Sequence, residues 1–290
     1  MNNKLPRKKY VEPKGESLKN VKLKINDSVA KELSLAISVY GQERIAKSVN
    51  KHAIIRMEGS EEILKRFKSL RNNHSPHSSK KVFKATSDIL MRLLKDLLIK
   101  IFRDGINLMM LLYNDFASRY SIPLDDLIYS AEESLFHLIL KSSDVTNTKI
   151  SVLSEGSIQN LIRIKSLHKS DEFQKTILRP LSEKATTGKD LPPKCDEMKA
   201  KIVLWYLQMQ GRKELLPTRL VKRGTRFGVS AIQNVENKVK KQGKTILIIL
   251  YKNNPDWVQD YVIQNISSSS RKSIIVRSLL QEMEGRHKSQ

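Results

Sequence analysis

The chain has 290 residues, 53 Lys and Arg against 30 Asp and Glu, a formal net charge of +23 and a hydrophobic content of 39%. That content supports a buried core, and the length fits about two domains of ~150 residues. One cysteine excludes a disulfide framework and any multi-cysteine zinc or iron–sulfur centre, and no apolar run approaches the ~20 residues of a membrane-spanning helix.

Residues 1–26 alternate Lys with Pro, Gly, Asn and isolated apolar side chains, which predicts a basic flexible tail. No apolar stretch follows it, so it is not a secretory signal. Residues 4–9 (KLPRKK) have the composition of a nuclear localisation cluster. Helical spacing begins with Val29, Leu33, Ala36 and Ile37, capped by Asp27 or Ser28 and interrupted at Gly41. Residues 43–53 and 60–70 read as two more short helices, and 71–81 (RNNHSPHSSKK) as a loop. The strongest pattern follows. Ile89, Leu90, Leu93, Leu94, Leu97, Leu98, Ile101 and Phe102 line one face of a helix capped at Ser87 or Asp88 and closed at Asp104-Gly105. Residues 106–120 are apolar nearly all round, the mark of a central buried helix, and Ser121-Ile122-Pro123 stops it. Residues 124–140 form a further helix, and 156–168 another after a polar break at 142–148. The stretch 170–195 carries Ser, Thr, Lys and three prolines, and is the best candidate for a domain boundary. Beyond it, Met198, Ile202, Val203, Trp205, Tyr206 and Met209 form an apolar face. Residues 245–251 (TILIILY) read as a short strand, 267–273 (SSSSRKS) as a hinge and 274–283 as a final helix. No internal repeat of fixed period is visible.

The charge is not spread evenly. Residues 1–100 carry net +13, 101–200 net −1 and 201–290 net +11, and 212–244 alone hold ten basic and two acidic side chains. Such a field calls for an anionic counterpart, and nucleic acid is the usual one because phosphate contacts release condensed counterions. Within this segment Phe227-Gly228-Val229-Ser230 precedes an amphipathic basic stretch. Gly228 suits a tight turn between helices. Ser230 and Gln233 have capping-box spacing. Ile232, Val235 and Val239 make an inward stripe, leaving Gln233, Asn234, Asn237, Lys238, Lys240 and Lys241 outward. This resembles the turn and second helix of a helix-turn-helix, which implies base contacts from Gln233 and Asn237 and phosphate contacts from the lysines.

Other constellations are weaker. His74 and His77 flank a proline with no further ligand nearby, and Cys195 has no histidine partner in sequence. Asp125-Asp126 and Glu132-Glu133 sit where a helix start favours carboxylates, although paired acids can also hold Mg²⁺. No glycine-rich phosphate loop and no nucleophile elbow occurs.

The sequence therefore predicts a mostly α fold, with a possible helix-turn-helix-like element: tail 1–26, helical domain 27–168, linker 169–195 and basic helical domain 196–285. The expected function is non-enzymatic nucleic-acid binding, to RNA or DNA, as a packaging scaffold, nucleoprotein or regulator. Arg212, Lys213, Arg219, Lys222, Arg223, Arg226, Gln233, Asn237, Lys238, Lys240, Lys241 and Lys244 are its expected binding residues. No catalytic residue, metal, cofactor or small-molecule substrate is expected. The middle helices offer a self-association surface, giving a homo-oligomer. The expected location is intracellular, in nucleus or cytoplasm. The alternatives are a matrix-type structural protein on anionic membrane or acidic protein partners, and a metal-dependent nuclease.

Overall fold

Asn26, Ser78, Asn147, Ser170, Asn254 and Ser267 each open a helix by accepting a hydrogen bond from a first-turn N–H. Each bond satisfies a donor that has no partner inside its own helix. In the computed structural model, which describes residues 23–72, 77–144, 146–183, 190–211 and 215–287, every regular element is helical. The fold is mostly α.

The helices run α1 Asp27–Glu32, α2 Ser34–Tyr40, α3 Gln42–Ser48, α4 Ala53–Asn72, α5 Ser79–Lys95 and α6 Ile99–Met110. The last continues through a π-helical turn, Leu111–Phe116, into α7 Ala117–Arg119. There follow α8 Leu124–Ser142, α9 Thr148–Ile162, α10 Lys165–His168, α11 Asp171–Ile177, α12 Asp196–Gln210 and α13 Thr218–Ile232. The chain closes with α14 Asn237–Tyr251, α15 Pro255–Asn265, α16 Ser268–Arg271 and α17 Ile274–His287. Consecutive helices pack as pairs: α3 on α4, α5 on α6, α8 on α9, α11 on α12 and α13 on α14. Neighbouring pairs stack through α2–α5, α4–α6, α5–α8, α6–α9, α9–α12 and α12–α14, and α17 covers α14. Each pair buries its apolar stripe only against the next, so the core extends along the stack. One cluster of buried side chains runs from Leu33 to Met283. Phe173, Ile177, Leu178 and Cys195, from the stretch expected to be a linker, belong to it.

Close approach of the pairs depends on small residues. At Gly59 in α4 an added Cβ would lie 2.4 Å from the Ser48 backbone nitrogen of α3. The π-turn places Leu112, Tyr113 and Phe116 all inward. The buried Tyr113 hydroxyl meets Ser130 Oγ at 2.7 Å and Ser134 Oγ at 2.8 Å, and it donates to the Ser130 carbonyl. Burial pushes this phenol well above its ordinary range.

Several expected boundaries move. Ser87 and Asp88 lie inside α5, which starts nine residues earlier at Ser79 with Ser78 as its cap. The face expected to continue through Leu97 and Leu98 breaks at Asp96, whose extended backbone (ψ 150°) ends α5. Asp104-Gly105 is helix interior: Ser60 Oγ donates to Asp104 Oδ2 at 2.7 Å, and Gly105 lies against Leu93. The expected helix 156–168 is two, broken at 163–164. Residues 245–251 are not a strand. They are the second half of α14, whose buried Val239, Gly243, Ile246, Leu247, Leu250 and Tyr251 follow a helical period. The helix-turn-helix reading fails for a related reason. Phe227–Ser230 is the interior of α13, and Gly228 serves packing: a Cβ there would come 2.7 Å from Leu247 Cδ2. The turn falls later, at 233–236, and leaves Val235 exposed.

Candidate docking edge

Helices that pair up and down put their connections alternately on two edges. Among the described residues, the connections within pairs, at 49–52, 96–98, 143–144, 146–147, 178–183, 190–195 and 233–236, share one edge, and the segment 266–273, which includes α16, joins them before α17. Side chains stitch this edge together. Arg56 donates through Nη1 to the carbonyls of Asn50 and Lys51 and through Nε to Asp96 Oδ2 at 2.9 Å. Lys141 Nζ donates to the carbonyls of Lys95 and Asp96. Asn234 Nδ2 donates to Asp196 Oδ2 at 2.9 Å. Gln233 donates to the Asn265 carbonyl and accepts from Ser267 N. The opposite edge is tied separately, with Tyr120 Oη on the Arg71 carbonyl and Leu216 N on Asn253 Oδ1.

One turn design recurs along the docking edge. Asn50 Oδ1 accepts from His52 N, Asp96 Oδ1 from Leu98 N, Asp144 Oδ1 from Thr146 N and Asn234 Oδ1 from Glu236 N. Each is a side chain mimicking a backbone turn two residues on. The Thr146 bonds hold the Asp144 carboxyl below its usual range. In the register of the same series stands Asp190-Leu191-Pro192, where Pro192 has no N–H to give. These positions, 50, 96, 144, 190 and 234, recur about every 46 residues, the length of a helical-pair repeat. The chain does therefore contain an internal repeat, carried by turn chemistry rather than by apolar pattern.

The middle residues of the turns at 50, 96 and 234 point outward, whereas Leu191 packs partly against the core. Lys51 is exposed, Leu97 is 74% exposed and Val235 is 89% exposed. Ile274, opening α17, is 77% exposed. Lys194, Lys238, Arg271 and Lys272 are exposed on the same edge. Apolar tips held out by anchored turns on an edge that also carries exposed cations suit an acidic protein surface, with apolar burial for affinity and charge for steering.

The residues expected to bind phosphates do not gather on one face. Arg212 and Lys213 lie outside the described residues. Arg219 and Arg223 converge on Asp171, with Arg223 Nη1 at 2.6 Å from Oδ1 and Arg219 Nη2 at 3.0 Å from Oδ2. Arg223 leads in holding the Asp171 carboxyl below the usual range. Lys222 Nζ lies 5.7 Å above the Trp257 ring, which stacks on Tyr261. Lys244 pairs with Glu282 at 3.1 Å, and Lys238 reaches Glu197 at 3.7 Å. Arg226 and Lys241 are exposed and Lys240 is half-buried. Gln233, Asn237 and Lys238 fall at the docking edge, whereas Arg219, Lys222 and Arg226 belong to α13. Sequence reasoning missed Leu97 and Val235 as surface residues because it assigned both to apolar faces. The Asx residue before each was the available signal.

The acidic pairs part company as well. Asp126 is held by Lys80 and Lys84, and Glu132 accepts from Thr176. Asp125, Glu132 and Glu133 line a cleft of about 880 Å³ together with Arg223 and Arg226. Among the described residues no group of three or more His, Cys, Asp or Glu could hold a metal ion. Cys195 is buried, and burial raises its thiol.

A stack of antiparallel helix pairs with its intra-pair loops gathered on one edge defines a helical-repeat scaffold. Comparison with known families makes this specific: residues 30–242 match the family described as "Centrosomal protein CEP104, TOG domain", and the chain belongs to it. The rat protein named "Centrosomal protein of 104 kDa" is 17% identical over 257 residues, covering 89% of this chain and 27% of the relative. The chain thus spans about a quarter of that relative's length. A solved structure of the human Cep104 TOG domain superposes with a TM-score of 0.72 at 15% identity, covering 90% of this chain and 96% of that one. A structure titled "Structural Basis of Microtubule Plus End Tracking by XMAP215, CLIP-170 and EB1" gives a TM-score of 0.51 at 15% identity, covering 84% and 89%. Family membership overturns the expectation of a nucleic-acid-binding nucleoprotein or packaging protein, and with it RNA or DNA as partner. The physical reason is visible in the ion pairs: a run of cations in sequence is not a patch in space when carboxylates from other helices meet it.

Proposed function

We propose that the chain is a TOG-type docking module that binds tubulin, at microtubules or as free dimers, through the edge carrying Lys51, Leu97, Val235 and Ile274. One observation carries this reading: three anchored turns hold Lys51, Leu97 and Val235 out along one edge of the family's fold, with exposed cations on the same edge suited to an acidic protein surface. The microtubule title of one structural relative and the centrosomal names of the others support the same partner class. The role is binding without catalysis. The expected intracellular setting agrees with a microtubule or centrosome location, and a nuclear one has no support. Of the residues singled out from sequence, Gln233, Asn237 and Lys238 are the ones we place in this interface. Co-sedimentation with microtubules and tubulin binding in solution test the proposal. The wild-type chain should bind both, or one, with an affinity that falls as salt rises. No binding to either would refute it.

A further inference from the structure

Residues 267–273 read SSSSRKS, with Ser267 capping the short helix α16 (Ser268–Arg271) at the end of the edge. Ser267, Ser268 and Ser269 are exposed, as are Arg271 and Lys272. Ser267 Oγ is committed to the turn, since it accepts from Ser270 N. The Ser269 hydroxyl meets the Ser267 hydroxyl at 3.2 Å and holds no core element in place. An exposed hydroxyl followed by two exposed cations fits a kinase cleft whose carboxylates bind the basic residues after the acceptor. The Gln233 amide, bonded to Asn265 O and Ser267 N, sets this serine turn beside the loop that carries Val235.

We propose that Ser269 is a phosphorylation site for a serine/threonine kinase selective for basic substrates, and that phosphate there weakens docking; the second half rests on the tubulin-binding reading above. The donor is a nucleoside triphosphate. The Ser269 oxygen forms a bond to the γ-phosphorus, the bond from that phosphorus to the bridging oxygen breaks, the nucleoside diphosphate leaves, and the hydroxyl proton passes to the kinase's base. The product carries roughly −1.5 to −2 charges at pH 7. That offsets Arg271 and Lys272 and sets an anion on an edge that recruits through cations.

The full chain is phosphorylated with ATP and a purified basic-directed kinase, the site is mapped by mass spectrometry, and tubulin affinity is compared before and after. Phosphate at Ser269, lost in Ser269→Ala and kept in Ser268→Ala, is the expected result. Affinity should then fall about tenfold at low salt, with less loss as salt rises, and kinase-treated Ser269→Ala should bind like the untreated chain. Phosphate only at other positions, or none, overturns the site. Phosphate at Ser269 with unchanged affinity overturns its regulatory role. An unphosphorylated chain that does not bind tubulin overturns the docking reading and the regulation built on it, while the mapped site is decided by mass spectrometry alone.

Discussion

Substituting Gly59 by alanine probes the stacking of the first helix pair. The added Cβ would lie 2.4 Å from Ser48 N, 2.7 Å from Lys47 C and 2.7 Å from Ser48 Cα. Carbon contacts settle at ~3.5–4.0 Å, so α3 and α4 must separate by roughly 1 Å. All three atoms are backbone, and none can rotate away. Because only backbone can give way, overpacking here costs the upper part of the usual range, ~2–3 kcal/mol, against ~1 kcal/mol gained from better helix propensity. A net loss of about 1–2 kcal/mol follows, or roughly 2–8 °C in Tm for a chain of this size. The same substitution at Gly156 in α9 meets nothing within 4 Å and should stabilise by up to ~1 kcal/mol. Urea and thermal unfolding followed by circular dichroism give both values. A Gly59→Ala chain as stable as wild type would refute the close packing of α3 on α4.

Tyr113→Phe should cost ~1–3 kcal/mol in urea unfolding, because it strands the Ser130 and Ser134 groups that the hydroxyl meets; a change under ~0.5 kcal/mol would contradict the network. Asp171 has a depressed folded-state pKa, so its contribution is present above the ordinary carboxylate pKa and is lost as pH falls through the folded value. Arg223→Gln should therefore lower stability near neutrality and flatten the acid limb of the stability–pH curve, and an unaltered limb would show that the pair with Arg223 is not the cause. Asp96→Ala removes the acceptor for Arg56 Nε and Leu98 N. It should cost ~1–3 kcal/mol and weaken tubulin binding, whereas an intact affinity would show that Leu97 needs no fixed turn.

Much of the fold was legible in the sequence where local periodicity and burial agree. Leu90, Leu93 and Leu94 in α5, and Leu127, Ala131, Leu135 and Leu138 in α8, are buried as their spacing predicts. Boundaries were less legible, because Ser78 and Ser87 offer the same capping chemistry and only Lys81 N settles which hydroxyl is used. Periodicity also runs across Asp96 without pause, although its carboxylate closes a turn there. The site lay further from view. Arg219 and Arg223 read as free cations until the fold brings Asp171, some fifty residues earlier, to them. An exposed Val235 is indistinguishable from a core valine until the turn at 233–236 is placed. The Asx positions 50, 96, 144, 190 and 234 do mark the repeat in the bare sequence, but the surrounding apolar residues vary too much for a hydropathy period to expose it.

Leu97→Glu and Val235→Glu, made together and set beside Leu215→Glu on the opposite edge, test the docking edge most directly. All three side chains are exposed, so each chain should keep its stability within ~0.5 kcal/mol. Burying a valine or leucine at an interface contributes ~1.5–3 kcal/mol, so the double variant should lose at least tenfold in tubulin affinity, while Leu215→Glu binds like wild type. Equal binding by the double variant and wild type, or an equal loss in Leu215→Glu, would contradict the account.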